Sequence, residues 1–124
     1  MRLNIGEKTI EQLRAEKLAA LRAEKLNARD QGVLVSGILF DTDAPARTAY
    51  LELSMKLAQN PAYTVNDWKA SEGCWVEMNA EVFAALQAAG EAKLTAIFSW
   101  VRQKEEEIAT AGSKAAVMAI TTTF

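Results

Sequence analysis

The chain predicts an α+β fold, a small antiparallel sheet of two β-hairpins packed with about four helices, and three observations predict it. Two apolar triplets, Val33-Leu34-Val35 and Ile38-Leu39-Phe40, flank Ser36-Gly37, the spacing of a two-residue hairpin turn in which glycine takes positive φ. A second pair of β-rich runs, near Tyr63 to Trp68 and Cys74 to Met78, is joined through Ala70-Ser71-Glu72-Gly73. The stretches between and around them are rich in Ala, Leu, Glu, Lys and Arg at helical period, with capping residues at their starts. Residues 1–31 read as an N-terminal amphipathic helix and 32–124 as the α+β domain, together one compact unit.

The first helix is expected over residues 8–29, with Thr9 and Gln12 at capping-box spacing. Within it the hexapeptide Leu-Arg-Ala-Glu-Lys-Leu occurs twice, at Leu13 to Leu18 and at Leu21 to Leu26. A repeat of eight turns about 80° around a helix, so the copies do not share a face. Ile10, Leu13, Leu18 and Leu21 share one arc and Leu26 lies off it, which describes a docking amphipathic helix rather than a heptad coiled coil. Such a helix either packs on its own domain or projects to another subunit or partner.

Gly32 stops that helix, and the hairpin register then places Val35 opposite Ile38 and Val33 opposite Phe40, with Leu34 and Leu39 on the other face. Both faces of the ribbon are apolar, so both are expected to be covered. Asp43, or alternatively Thr42, caps the next helix, Ala44 to Gln59, whose Pro45 sits in the first turn where it forfeits no hydrogen bond. Asp41 and Asp43 as a cation site are the rival reading, and two carboxylates supply too few ligands for it. Ala46, Ala49, Tyr50, Leu53 and Leu57, widened by Leu51, Met55 and Ala58, predict a helix buried on two sides. In the second hairpin the expected register sets Trp68 opposite Trp75 and Val65 opposite Met78, and Cys74 packs as a small hydrophobe.

Asn79 caps a helix expected to reach about Thr110, with Phe83, Leu86, Gly90, Leu94, Ile97, Val101 and Ile108 at near-heptad spacing. It either bends near Gly90 or projects into an assembly. Glu105-Glu106-Glu107 reads as a solvated face. Ser113 caps a last short helix, Lys114 to Ile120, and Thr121 to Phe124 form a frayed or partner-ordered tail.

Composition narrows function by exclusion. Net charge is −2 and no block of five like charges occurs, although residues 1–30 hold seven basic and five acidic groups against seven and eleven in the remainder. No nucleic-acid or membrane partner is expected from that balance. One cysteine and no histidine remove intramolecular disulfides, thiolate clusters and histidine-based dyads. No catalytic residue, metal or cofactor is expected, and with no signal-peptide segment synthesis in the cytoplasm is the default.

The pieces also carry a family resemblance. Ile10-Glu11-Gln12-Leu13, Lys17-Leu18, Asn27-Ala28-Arg29-Asp30, Gly32-Val33, Gly37 and Phe40-Asp41-Thr42-Asp43 resemble the entry to DUF4376, a domain found in tailed phages and prophages. Val65, Trp68-Lys69, Gly73, Trp75-Val76-Glu77-Met78-Asn79, Ile108-Ala109-Thr110-Ala111 and Ala116-Val117-Met118-Ala119-Ile120 agree with it, extending the resemblance over about residues 9–120. It implies a place among tail and tail-fibre genes and brings no catalytic residues. The expectation is a phage tail structural or accessory protein, made in the host cytoplasm and carried in the virion tail. It docks on a tail-fibre or baseplate protein and could also form a homo-oligomer. Its contact faces are Ile10, Leu13, Leu18 and Leu21 on the first helix and Leu94, Ile97, Val101 and Ile108 on the late one. The alternatives are a fibre-assembly chaperone not retained in the virion, and a carbohydrate-binding module resting on Trp68 and Trp75.

Overall fold

The computed structural model describes residues 6–124; the first five residues of the expected N-terminal segment lie outside the described residues. The elements run α1 (Ile10–Asp30), β1 (Val33–Val35), β2 (Ile38–Phe40), α2 (Ala44–Gln59), β3 (Val65–Ser71), β4 (Cys74–Met78), α3 (Ala80–Thr110) and α4 (Lys114–Met118). The strands form two separate two-stranded antiparallel sheets, β1-β2 and β3-β4. The fold is therefore α+β as expected, with the hairpins kept as two sheets rather than merged into one.

The chain divides into two compact units. A helical unit comprises the described residues up to Ala28 together with Ala96–Phe124, and a hairpin unit comprises Arg29–Thr95. The units follow backbone proximity rather than chain order. Leu13, Leu21 and Ala28 of α1 are buried along with Ile97 and Ile108 of α3 and Val117 of α4. Residues far apart in sequence thus share one unit.

In the hairpin unit the β1-β2 register is the expected one, Val33 with Phe40, Leu34 with Leu39 and Val35 with Ile38. Ser36 and Gly37 both take positive φ, 51° and 80°, as a turn matched to the right-handed strand twist requires. Val33 and Phe40 join Leu53, Ala70, Met78, Phe83 and Leu86 in the core. The opposite face departs from expectation, since Leu34 is 67% and Leu39 42% exposed.

Asp43 caps α2 through Oδ1, which accepts from Ala46 N at 3.1 Å. Thr42 takes a different task, accepting from Gly32 N at 2.8 Å and donating to the Arg29 carbonyl at 2.7 Å, so it ties the end of α1 to the start of α2. Of α2 only Leu53 is fully buried; Leu51 and Met55 are 64% and 60% exposed, so this helix is covered on one side and not on two.

The second hairpin corrects two expectations. Its connection is Glu72-Gly73 alone, because Ala70 and Ser71 are buried and continue the strand, and the Ala70 carbonyl accepts from Asp41 N at 2.8 Å. Irregularities on either side of the Trp68-Lys69 pairing shift the register: Val65 does face Met78, but Trp68 faces Val76 and Trp75 faces Lys69. Trp68 stacks on Tyr50 at 6.0 Å between ring centroids instead.

Asn79 caps α3, its Oδ1 accepting from Val82 N at 2.9 Å. The helix continues unbroken through Gly90 for 31 residues, its first half in the hairpin unit and its second in the helical unit. Glycine at that position costs roughly 1 kcal/mol relative to alanine, too little to interrupt a helix whose neighbours on both sides are packed.

Candidate functional site

The surfaces of interest grow out of how each unit covers its helices. In the helical unit, α1 starts in a reciprocal capping box: Gln12 N donates to Thr9 Oγ1 at 3.1 Å and Thr9 N donates to Gln12 Oε1 at 2.7 Å. Its side chains then reach the other end of the unit. Arg14 Nη2 donates to the Ala111 carbonyl at 2.8 Å, just past the C-terminus of α3, while Lys25 Nζ lies 5.7 Å from the ring centre of Phe98. α1 and the second half of α3 therefore run antiparallel. Arg14 is well placed for the negative end of the α3 dipole, though its Nε is buried with no hydrogen-bond partner.

One side of this helix pair is covered by the C-terminal segment. Ser113 Oγ caps α4 by accepting from Ala116 N, and α4 ends two residues sooner than expected, at Met118. Lys17 Nζ donates to the carbonyls of Met118 and Ile120 at 3.2 and 2.6 Å, Lys104 reaches Thr121 Oγ1, and Phe124 packs edge-on against Trp100 at 5.3 Å. The closing Thr-Thr-Thr-Phe is docked on its own chain rather than frayed. The other side is open. There Leu18, Leu21, Arg22, Lys25, Val101 and Glu105 line a groove of about 230 Å³.

Of the eight residues expected to face a partner, Leu13, Leu21, Ile97 and Ile108 are buried in the helical unit's own core. The α1 arc that the sequence offers to a partner is thus largely used by α3 and α4, and a charge placed at Leu21 would break the fold before it tested docking. Ile10, Leu18 and Val101 are half-buried, and Leu94 is exposed. The groove joins Leu18, Leu21 and Val101, and leaves Ile10 and Leu94 out of its lining. Arg22, Lys25 and Glu105 were missed, although each is one helical turn from a residue already singled out.

In the hairpin unit, the exposed Leu34-Leu39 pair stands on β1-β2 beside Gly32. A Cβ on Gly32 would come within 2.8 Å of the Phe40 carbonyl and 2.9 Å of Leu39 Cδ1, and Lys93 Nζ holds the Gly32 carbonyl at 2.5 Å. The ribbon that carries the leucines is therefore fixed at its base. The Trp68-Trp75 platform does not form, since Trp68 stacks on Tyr50 and Trp75 stands exposed with Lys69 Nζ 5.9 Å from its ring centre. Lys69 also pairs with Glu72 at 2.9 Å, which raises the lysine pKa and lowers that of the carboxylate.

The Asp43 carboxylate is used as the α2 cap, and the Asp41 main-chain carbonyl accepts from Tyr50 Oη at 2.5 Å. Burial, with the charges of Asp41 and Asp43 adding to it, pushes the Tyr50 phenol up to about 12. Among the described residues no three Cys, Asp or Glu side chains converge as metal ligands, and no helix is long and apolar enough to cross a membrane.

These features define a small α+β protein with two candidate surfaces: a groove of mixed apolar and charged lining on a helix pair, and an exposed leucine pair on a hairpin. The chain belongs to the family described as Domain of unknown function (DUF4376), whose model matches residues 12–122. No curated protein and no solved structure is significantly similar to it.

Proposed function

We propose that the chain is a docking module of a tailed-phage or prophage tail, a structural or accessory protein seated on a tail-fibre or baseplate protein by burial of apolar surface. The observation that carries this reading is the uncovered Leu34-Leu39 pair on a ribbon whose other face is core. A sheet face with two leucines in water loses hydrophobic free energy until something covers it, about 25 cal/mol for each Å² left exposed. The tail setting rests on what the sequence resemblance implies, a place among tail and tail-fibre genes; the family match over residues 12–122 supplies the domain and no role.

Counting copies of this chain against tail-tube and fibre proteins in purified particles, by quantitative mass spectrometry, tests the reading. A fixed stoichiometry is the expected result. Absence from particles together with recovery on a fibre pull-down would make the protein an assembly chaperone, and absence from both would remove the tail assignment. The variant Leu34→Thr with Leu39→Thr keeps β-propensity and should lose fibre or baseplate binding while its circular dichroism stays unchanged.

A further inference from the structure

The two sides of the α1-α3 helix pair are unequal. α4 and the tail cover one; the other holds an apolar floor of Leu18, Leu21 and Val101 with Arg22, Lys25 and Glu105 around it. Among the described residues none of those three charged groups forms an ion pair within the chain; Lys25 has the Phe98 ring beneath it and Phe98 is itself 52% exposed. Cations and an anion set around one groove with an apolar floor, without a salt bridge among the described residues, form a charge pattern that complements itself.

We infer that this open side is the interface of a two-fold homodimer, in which the Leu18-Val101 groove of one copy packs on that of a second and Arg22 pairs with the partner subunit's carboxylate. The symmetry follows from the charges. A two-fold axis lying between the faces and parallel to the helices preserves height along them and exchanges left with right, so α1 of one copy lies over α3 of the other. Arg22 and Lys25 share the groove with Glu105, so they then meet the second copy's acidic residue, twice by symmetry. An axis perpendicular to the helices would lay α1 on α1 and set the basic groups against each other. The result is a four-helix arrangement with apolar residues inside and charges at its rim. Within the helical unit α1 pairs with the second half of α3, Ala96–Thr110, so the face is about 22 Å long and two helices wide, on the order of 450 Å² per copy, the size of a weak, salt-sensitive association. This inference does not depend on the phage-tail reading.

The test is sedimentation or light scattering on the full chain with charge-reversed variants. The wild type should run at twice the 13.6 kDa chain mass at micromolar concentration and dissociate as salt is raised. Arg22→Glu and Glu105→Arg, both at exposed positions, should each weaken the homodimer by about tenfold or more without changing helicity. Mixing the two variants should restore dimer, because each cross-pair then joins opposite charges, and no rearrangement within one chain can mimic that. A monomeric wild type overturns the proposal and leaves the groove to a different protein. A wild-type dimer that the variants do not weaken, or that mixing does not restore, places the interface elsewhere and overturns it equally.

Discussion

The hairpin unit is closed by β-structure, and most of its ties run between backbone and short or uncharged side chains, with Lys93 on the Gly32 carbonyl and Arg47 on Asp30 and the Thr42 carbonyl as its cationic exceptions. Thr42 binds Gly32 and Arg29, Asp43 caps α2, and Tyr50 reaches the Asp41 carbonyl. The helical unit is closed by its own C-terminal segment, held by long cationic side chains, Arg14 to Ala111 and Lys17 to Met118 and Ile120. Short ties fix geometry at small entropic cost, whereas a lysine must be immobilised along its whole stem. The hairpin unit should accordingly be sensitive to backbone substitutions, and the helical unit to core truncation and to loss of its lysine clamp.

Core truncation is the largest expected effect in both. Phe40→Ala should destabilise the hairpin unit by about 3–5 kcal/mol and Ile108→Ala the helical unit by about 2–5 kcal/mol, read from denaturant midpoints. Hydrogen exchange sharpens the comparison: accelerated exchange confined to Arg29–Thr95 for the first and to the helical unit for the second would show that the units open separately. Uniform acceleration in both would show one cooperative unit.

Next come the glycines of the first hairpin. Gly32→Ala meets both a positive φ of 88° and a Cβ contact of 2.8 Å with backbone, whereas Gly37→Ala meets a positive φ of 80° and open space. The first should cost about 3 kcal/mol or more and the second about 1 kcal/mol. Equal losses would mean that the ribbon shifts freely at its base. Tyr50 adds a pH dependence to the same unit. Its phenol titrates near 10 unfolded and about 12 folded, so the neutral form is favoured in the fold. That stabilisation is complete below pH 10 and lost as pH rises from 10 through 12. Tyr50→Phe should be less stable at neutral pH and should flatten the alkaline limb of the unfolding curve.

What the sequence made legible follows the range of the interaction. Caps at Thr9, Asp43, Asn79 and Ser113 and the Ser36-Gly37 turn are decided within a few residues, and all are as read. The Leu-Arg-Ala-Glu-Lys-Leu repeat was legible too: Leu13 and Leu21 are buried and Leu26 is exposed. The Trp68-Trp75 pairing failed because strand irregularities displace a register by one residue with no fixed sequence signal. The expected partner faces mixed core with surface, since periodicity identifies an apolar arc without saying whether the chain covers it itself. Leu13 and Ile97 lie inside, while Leu18 and Val101 line an open groove, although all belong to the same two stripes.

The smallest expected effect separates the units most sharply. Lys17 is the one α1 side chain joined to the carbonyls of both Met118 and Ile120, and Lys17→Met keeps its stem while removing the ammonium. Global stability should fall by only about 1 kcal/mol, because the donor is partly solvated and the freed carbonyls recover water. The tail, however, loses its anchor upstream of Phe124, whose ring packs on Trp100 at 5.3 Å. The indole resonance of Trp100 should therefore shift and exchange faster with solvent, while those of Trp68 and Trp75 in the hairpin unit stay where they are. An unmoved Trp100 resonance would mean that the Trp100-Phe124 contact and the burial of Val117 hold the tail without the lysine. The clamp would then be an exposed, replaceable contact, and the contrast between the two units would rest on core packing alone.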